Sequence, residues 1–270
     1  MKIKAILSDV DGTLLNYDGA YEKTVPGLIK DIQDKGIQFS VATGKAYFGE
    51  IERIIGELNL SSLNIVSGGG MIIDWKTGKT PWYRPISEAS TKYVVNYFHG
   101  LNKIFSIETK EHAYMTNSHG NSAYTKDVTI EKFSLDSIPP GVLKILIHGS
   151  ANLLPEAEID TYIKNIRHNC KDVEAIKFSI KNNYGLDVTS QASTKHTAVL
   201  EYGKILGIPP SEIVAIGDGH NDYPLFTACG YKIAMGNAPD ELKEIADKVV
   251  NAAENNGMSE ALNHILSINE

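Results

Sequence analysis

The sequence predicts an α/β protein: a parallel sheet assembled from the two ends of the chain, with an α+β segment inserted between them. Three observations carry this. Short apolar runs alternate with amphipathic helical stretches in the first third of the chain and again in the last. The middle changes to a helix followed by paired strands, and does so twice. The length of 270 residues with 42% hydrophobic content gives one large or two modest domains at roughly 150 residues each.

The elements follow in order. Ile3 to Leu7 is a nearly continuous apolar run ending in Ser8-Asp9, the pattern of a strand buried on both faces. Pro26 to Lys35 carries Leu28, Ile29 and Ile32 at helical spacing and stops at Gly36. Ile37 to Ala42 is a second strand. Tyr47 to Leu58 is a second helix, with Ile51, Ile54, Ile55 and Leu58 on one face. Leu63 to Val66 is a third strand, after which Gly68, Gly69 and Gly70 open a turn. The middle reads as helix Glu88–Phe98, strands Ile104–Thr109, His112–Thr116 and Leu143–His148, helix Glu156–His168, and strands Ala175–Ile180 and Gly185–Val188. That order implies an antiparallel sheet with helices on one face. The first rhythm then resumes: helix Thr194–Leu206 closed by Gly207, strands Ile213–Ile216 and Tyr231–Met235, helices Asp240–Ala246 and Glu260–Leu266. Residues 1–80 and 191–270 are thus expected to form one domain, and 81–190 the insertion.

Composition removes several classes of function. Lys and Arg number 26 against 33 Asp and Glu, a formal charge of −7, which offers no footprint for nucleic acid or an anionic membrane. Runs such as Val142–Ile147 fall far short of the ~18 residues that span a bilayer. Asp9 and Asp11 interrupt the apolar start too early for a signal peptide, so a cytoplasmic protein is expected. The two cysteines, Cys170 and Cys229, have no metal-ligand or CxxC spacing. The sequon Asn59-Leu60-Ser61 reads as chance without a secretion signal.

Polar clusters stand at three strand ends, where open parallel sheets bind their ligands. In Asp9-Val10-Asp11-Gly12-Thr13, two carboxylates two residues apart repel each other, a cost that a divalent cation or phosphoryl chemistry would exploit. An Asx-turn capping the next helix is the alternative. An EF-hand is excluded, since Leu14 and Ala20 stand where its Gly and closing acid belong. Gly78-Lys79-Thr80 lacks the earlier P-loop glycine, Ile73 being there, and reads as a hairpin turn. Thr43-Gly44-Lys45 after the second strand suits a phosphate at a helix N-terminus, or an ordinary Thr N-cap. Gly217-Asp218-Gly219-His220-Asn221-Asp222 offers two acids four residues apart as oxygen ligands for magnesium, or a surface turn. Lys195 opens a helix, where the dipole disfavours a cation; an adjacent anion would supply the reason, a solvated lysine being the alternative.

Together these clusters resemble the haloacid dehalogenase superfamily of phosphohydrolases, in its Cof-like branch. Asp9 to Thr13 matches the family's DxDGT, Thr43 its second-motif hydroxyl, Lys195 its third-motif lysine and Gly217 to Asp222 its GDxxND. Ala234-Met235-Gly236-Asn237-Ala238 and Ala246-Asp247 extend the similarity. The chain departs from the pattern at Lys45, where Arg is usual, at His196, where Gly is frequent, and at Gly68-Gly69-Gly70, where many members have Asn-Gly-Ala. The resemblance implies a Rossmann-like core, a cap over 81–190 that sets specificity, and Mg²⁺-dependent hydrolysis of a small phosphorylated metabolite, such as a sugar phosphate, through an aspartyl-phosphate. It implies Asp9 as nucleophile, Asp11 as acid/base, and Lys195 as the counter-charge. Thr43, Gly44, Lys195 and Asn221 are implied on the substrate, and Asp9, Asp11 (by its carbonyl), Asp218 and Asp222 around the metal. Phosphomutase chemistry at the same aspartate, or a phosphate-binding regulator without turnover, are the competing expectations.

Overall fold

The computed structural model describes residues 2–116, 130–132, 134–148, 152, 154–180 and 183–269. Strand β1 (Ala5–Ser8) is buried along its whole length. A tight loop follows, in which the N–H groups of Thr13 and Leu15 both reach the Val10 carbonyl. Helix α1 (Val25–Asp34) has Pro26 in its first turn and buries Val25, Ile29 and Ile32; it ends at Gly36 in the left-handed region, φ +80°. Strand β2 (Gln38–Val41) pairs parallel with β1, and helix α2 (Glu50–Glu57) follows with Glu50 and Glu52 in its first turn.

Strand β3 (Leu63–Val66) lies where the sequence places it, but it is not a full member of the parallel sheet. It forms an antiparallel three-stranded sheet with β4 (Met71–Asp74) and β5 (Lys79–Tyr83), in the order β3-β4-β5, the Gly78 turn leading into β5. A single parallel bridge, Ala42 to Ile65, joins it to β2. Side chains take over the missing ladder. The Phe39 N–H donates to Ser61 Oγ at 2.9 Å and the Val41 N–H to Asn64 Oδ1 at 3.0 Å, both buried. With its donors satisfied this way, β2 needs no neighbouring strand over that stretch.

The inserted segment contains helix α3 (Glu88–Gly100), N-capped by Ser87, and strands β6 (Phe105–Glu108), β7 (Ala113–Met115), β8 (Ile130–Lys132) and β9 (Lys144–Ile147). Helix α4 (Glu156–Asn169) and the hairpin of β10 (Val173–Ile180) and β11 (Asn183–Ser190) complete it. The strands make one six-stranded sheet in the order β10-β11-β9-β6-β7-β8, antiparallel except for the β7–β8 pair. Both helices pack into one core, where Phe98 and Tyr162 meet edge to face at 5.3 Å between centroids. Other strand residues are buried but polar: Lys144 lies 3.4 Å from Glu108, and the His148 ring reaches Ser106 Oγ at 3.1 Å.

The chain then returns to the first sheet. Helix α5 (Lys195–Leu206) opens with reciprocal caps, Thr194 Oγ1 accepting the Thr197 N–H and Thr197 Oγ1 accepting the Thr194 N–H. It ends at Gly207 in the left-handed region. Strand β12 (Ile213–Gly217) pairs parallel with β1 on the edge opposite β2. Short helix α6 (Tyr223–Ala228), strand β13 (Tyr231–Ala234), helix α7 (Asp240–Glu244), strand β14 (Lys248–Val249) and helix α8 (Gly257–Ile268) follow. The parallel sheet runs β14-β13-β12-β1-β2, with α1 packed against α8 and α5 against α6. Strand order reverses at β1, which is the switch point beside which ligands bind in doubly wound folds.

By compactness the chain divides into two units, Met1–Lys45 with Ile54–Trp82 and Thr194–Glu270, and Ala46–Arg53 with Tyr83–Ser193. Cys170 and Cys229 are buried free thiols. Among the described residues no helix is long and apolar enough to cross a membrane.

Candidate active site

The carboxyl ends of β1, β2 and β12 bring together residues far apart in the chain. Asp9 follows β1, its N–H held by the Ile216 carbonyl of β12. Asp218 follows β12, and Asp222 closes the single turn His220–Asp222 beyond it. Gly217 lets that turn fold back: a Cβ there would sit 2.6 Å from Asp222 Oδ2. Lys195 enters from the first turn of α5.

The Lys195 ammonium lies between two buried carboxylates, 2.7 Å from Asp9 Oδ1 and 2.6 Å from Asp222 Oδ1. Asp222 Oδ2 in turn accepts the backbone N–H groups of Asp218 and Gly219, each at 3.0 Å. Asp218 accepts from Thr13 Oγ1 at 2.8 Å, from Asn237 Nδ2 at 2.9 Å and from the Tyr17 hydroxyl at 3.3 Å. Burial pushes the Asp9 carboxyl up to about 7, with repulsion from Asp222 adding to the rise and Lys195 opposing it. Asp218 is pushed up to about 6, again mainly by burial. For Lys195 burial acts downward, but Asp222 and Asp9 outweigh it and its pKa is raised. The anions thus account for a lysine placed against the helix dipole.

A family model for haloacid dehalogenase-like hydrolases matches residues 6–262. The chain belongs to that family. It is similar to a 5-amino-6-(5-phospho-D-ribitylamino)uracil phosphatase of Bacillus subtilis, 26% identical over 98% of this chain and 99% of the relative. It is also similar to the phosphoglycolate phosphatase of Methanopyrus kandleri, at 22% identity over 97% and 96%. Among solved structures, a haloacid dehalogenase-like hydrolase of Bacteroides thetaiotaomicron shares the fold with a TM-score of 0.85 at 23% identity, covering 98% of this chain and all of the other. A subclass IIB sugar phosphatase shares it at 0.81 and 19% identity, over 98% of this chain and 100% of its own. The protein is an enzyme of this hydrolase family, of the phosphatase type.

In this hydrolase, Asp9, Asp218 and Asp222 each offer an oxygen within 4.8 Å of the others, a cluster able to hold a metal ion. The donors are all carboxylate oxygens, which fits a hard divalent cation rather than zinc or copper. Burial raises Asp9 most, and the repulsion from Asp222 that adds to that rise is the kind of strain a dication relieves. Asp11 is turned elsewhere: its carboxylate is half exposed and meets Lys45 Nζ at 2.6 Å. Thr43 is buried, and its Oγ1 accepts the Lys45 N–H at 3.1 Å; Gly44 is half-buried beside it, while Asn221 is exposed on its turn. The sequence reading assigned no role to Tyr17 or Asn237. Asn237 lies in the segment Ala234–Ala238 that resembles the family, which gives it no task, and no pattern in the sequence marks Tyr17.

Proposed function

We propose that this hydrolase is a Mg²⁺-dependent phosphomonoesterase of small phosphorylated metabolites, working through an aspartyl-phosphate on Asp9. The observation that carries this is the buried ammonium of Lys195 seated on Asp9, beside a carboxylate cluster and two residues from a half-exposed Asp11. A phosphate monoester is anionic, so an anionic nucleophile must be helped toward it by positive charge. Lys195 supplies one fixed charge. Asp9, Asp218 and Asp222, with the Asp11 carbonyl, would hold Mg²⁺, which when bound supplies the rest of the charge neutralisation at the phosphoryl group.

Asp9 attacks phosphorus with one carboxylate oxygen while Asp11 gives its proton to the leaving alkoxide. Asp11 must first take up a proton and leave Lys45, and its exposure gives it room to move. The P–O bond to the alcohol breaks as the bond to Asp9 forms. Asp11, now a carboxylate, takes a proton from water, which attacks the aspartyl-phosphate, restores Asp9 and frees phosphate. Thr43 Oγ1 and the backbone of Gly44 hold phosphoryl oxygens, and Asn221 contacts the substrate or steadies its turn. Residues 81–190 act as the cap that reads the rest of the metabolite, a role supported by their separate core. The test is released phosphate across sugar, nucleotide and short-acid phosphates, with Mg²⁺ and with chelator. Turnover of at least one class with Mg²⁺, lost on chelation, is expected; none on any class refutes the proposal.

A further inference from the structure

The three carboxylates of the cluster are held in two different ways. Asp9 and Asp222 share the Lys195 ammonium. Asp218 is held by neutral donors, Thr13 on Oδ1 and Asn237 and Tyr17 on Oδ2. Neutral donors fix the orientation of a carboxylate without cancelling its charge, so Asp218 offers a cation more attraction than a carboxylate already paired with an ammonium.

Among these donors Asn237 has the widest reach. Its Nδ2 donates to Asp218 Oδ2 and to the Gly12 carbonyl, both at 2.9 Å, and lies 3.3 Å from the Tyr17 hydroxyl. Its Oδ1 accepts the Ala253 N–H at 3.1 Å. One amide therefore ties the loop after β1 to the loop after β12, which are the two segments that contribute carboxylates to the cluster. Gly12 makes the tie possible: it sits at φ +73°, and a Cβ on it would fall 2.3 Å from Asp218 Oδ2.

We propose that Asn237, assisted by Tyr17, is the positioning residue of the metal site, holding Asp218 and the Gly12 loop in the arrangement that receives the cation. This rests on the metal reading above. The amide does not touch the reacting groups; it acts through Asp218. Without it, Asp218 Oδ2 keeps only the longer contact from an exposed tyrosine, and the two loops lose their shared anchor.

The test is calorimetric titration of MgCl₂ into the full-length, substrate-free protein. Asn237→Ala is expected to weaken Mg²⁺ binding roughly 10- to 100-fold, the usual cost of losing an outer-sphere partner. Tyr17→Phe, which removes one hydroxyl from an exposed ring, is expected to weaken it roughly threefold. The Mg²⁺ concentration for half-maximal phosphate release should rise by the same factors. A purely structural Asn237 would lower the unfolding midpoint of the metal-free protein and leave the Mg²⁺ affinity alone, and that result overturns the proposal. Should Asn237→Ala fail to fold, Tyr17→Phe decides, and a wild-type affinity in that variant overturns it. Failure of the metal reading itself is a separate result, since it appears as no Mg²⁺ uptake by the wild type, and it removes the premise as well.

Discussion

Replacing Lys195 with methionine keeps the length and apolar stem of the side chain but removes a cation that is 3% exposed. Two charge-assisted contacts are lost, at 2.7 and 2.6 Å. At roughly 1.5–3 kcal/mol each, they amount to about 3–6 kcal/mol, which overlaps the ~3–5 kcal/mol for breaking a buried pair from one side. About 4 kcal/mol of destabilisation is therefore expected near pH 7 in chelator. The pH dependence is the sharper signature. A carboxyl whose folded pKa is raised above its ordinary value costs stability as pH rises through that window. In the wild type the Asp9 contribution stops falling above about 7. Without the lysine, Asp9 rises further and the variant goes on losing up to ~1.36 kcal/mol per pH unit. Between pH 7 and 8.5 the gap should widen by about 2 kcal/mol. Urea unfolding of both proteins at pH 6, 7 and 8.5 reads this directly. A gap below about 1 kcal/mol, or one that stays constant with pH, would show that the ammonium does not neutralise Asp9 as described.

Asp9→Asn should abolish turnover, since an amide is no nucleophile, and Asp11→Asn should lower kcat by roughly 10²–10⁴-fold; steady-state phosphate release by folded variants checks both. His148, held down to about 4 by burial and by Lys144, contributes stability that is present above its ordinary 6.5 and lost as pH falls toward 4, up to about 3 kcal/mol. His148→Gln should flatten that acid limb in urea midpoints measured from pH 7 to 4.5. Gly69→Ala should cost at least about 2 kcal/mol, because the residue sits at φ +99° and a Cβ would lie 2.2 Å from the Thr194 carbonyl. Since Thr194 caps the helix that starts at Lys195, kcat should fall as well.

The parts of the molecule legible in its sequence are those with a repeating or punctuated pattern. Strands β1 and β12 are continuous apolar runs ending in acids, and α5 has a Thr at its cap and Gly207 at its end. The cap helices and most of its strands were readable for the same reason. Strand β3 was found, but its partners were not. An apolar run such as Leu63–Val66 looks alike in either kind of sheet, and the substitution of Ser61 and Asn64 side chains for a ladder leaves no periodic trace. The six residues of α6 and two of β14 are too short to show a period. At the site, Asp9, Lys195, Asp218 and Asp222 were legible because charges at strand and helix ends stand out. The turn of Asp11 toward Lys45, and the grip of Tyr17 and Asn237 on Asp218, depend on loop geometry that a linear pattern does not encode.

The central place of β1 has a consequence for how the enzyme is born. Its partner on one edge is β2, available almost at once; its partner on the other is β12, whose first residue follows more than 200 positions later in the sequence. Lys195 is separated from Asp9 by 186 positions. On the ribosome, the opening segment must wait with an apolar strand edge unpaired while the whole insertion, carrying its own core, is synthesised and can fold. Asp9 therefore exists for most of translation without Lys195 and without both of its carboxylate neighbours in the cluster, Asp218 and Asp222. On the mechanism proposed above, turnover is expected only once β12 docks beside β1 and brings Asp218 and Asp222 to Asp9. The same arrangement makes that docking the step of longest loop closure, and so the step at which a chaperone bound to the exposed β1 edge has most to protect.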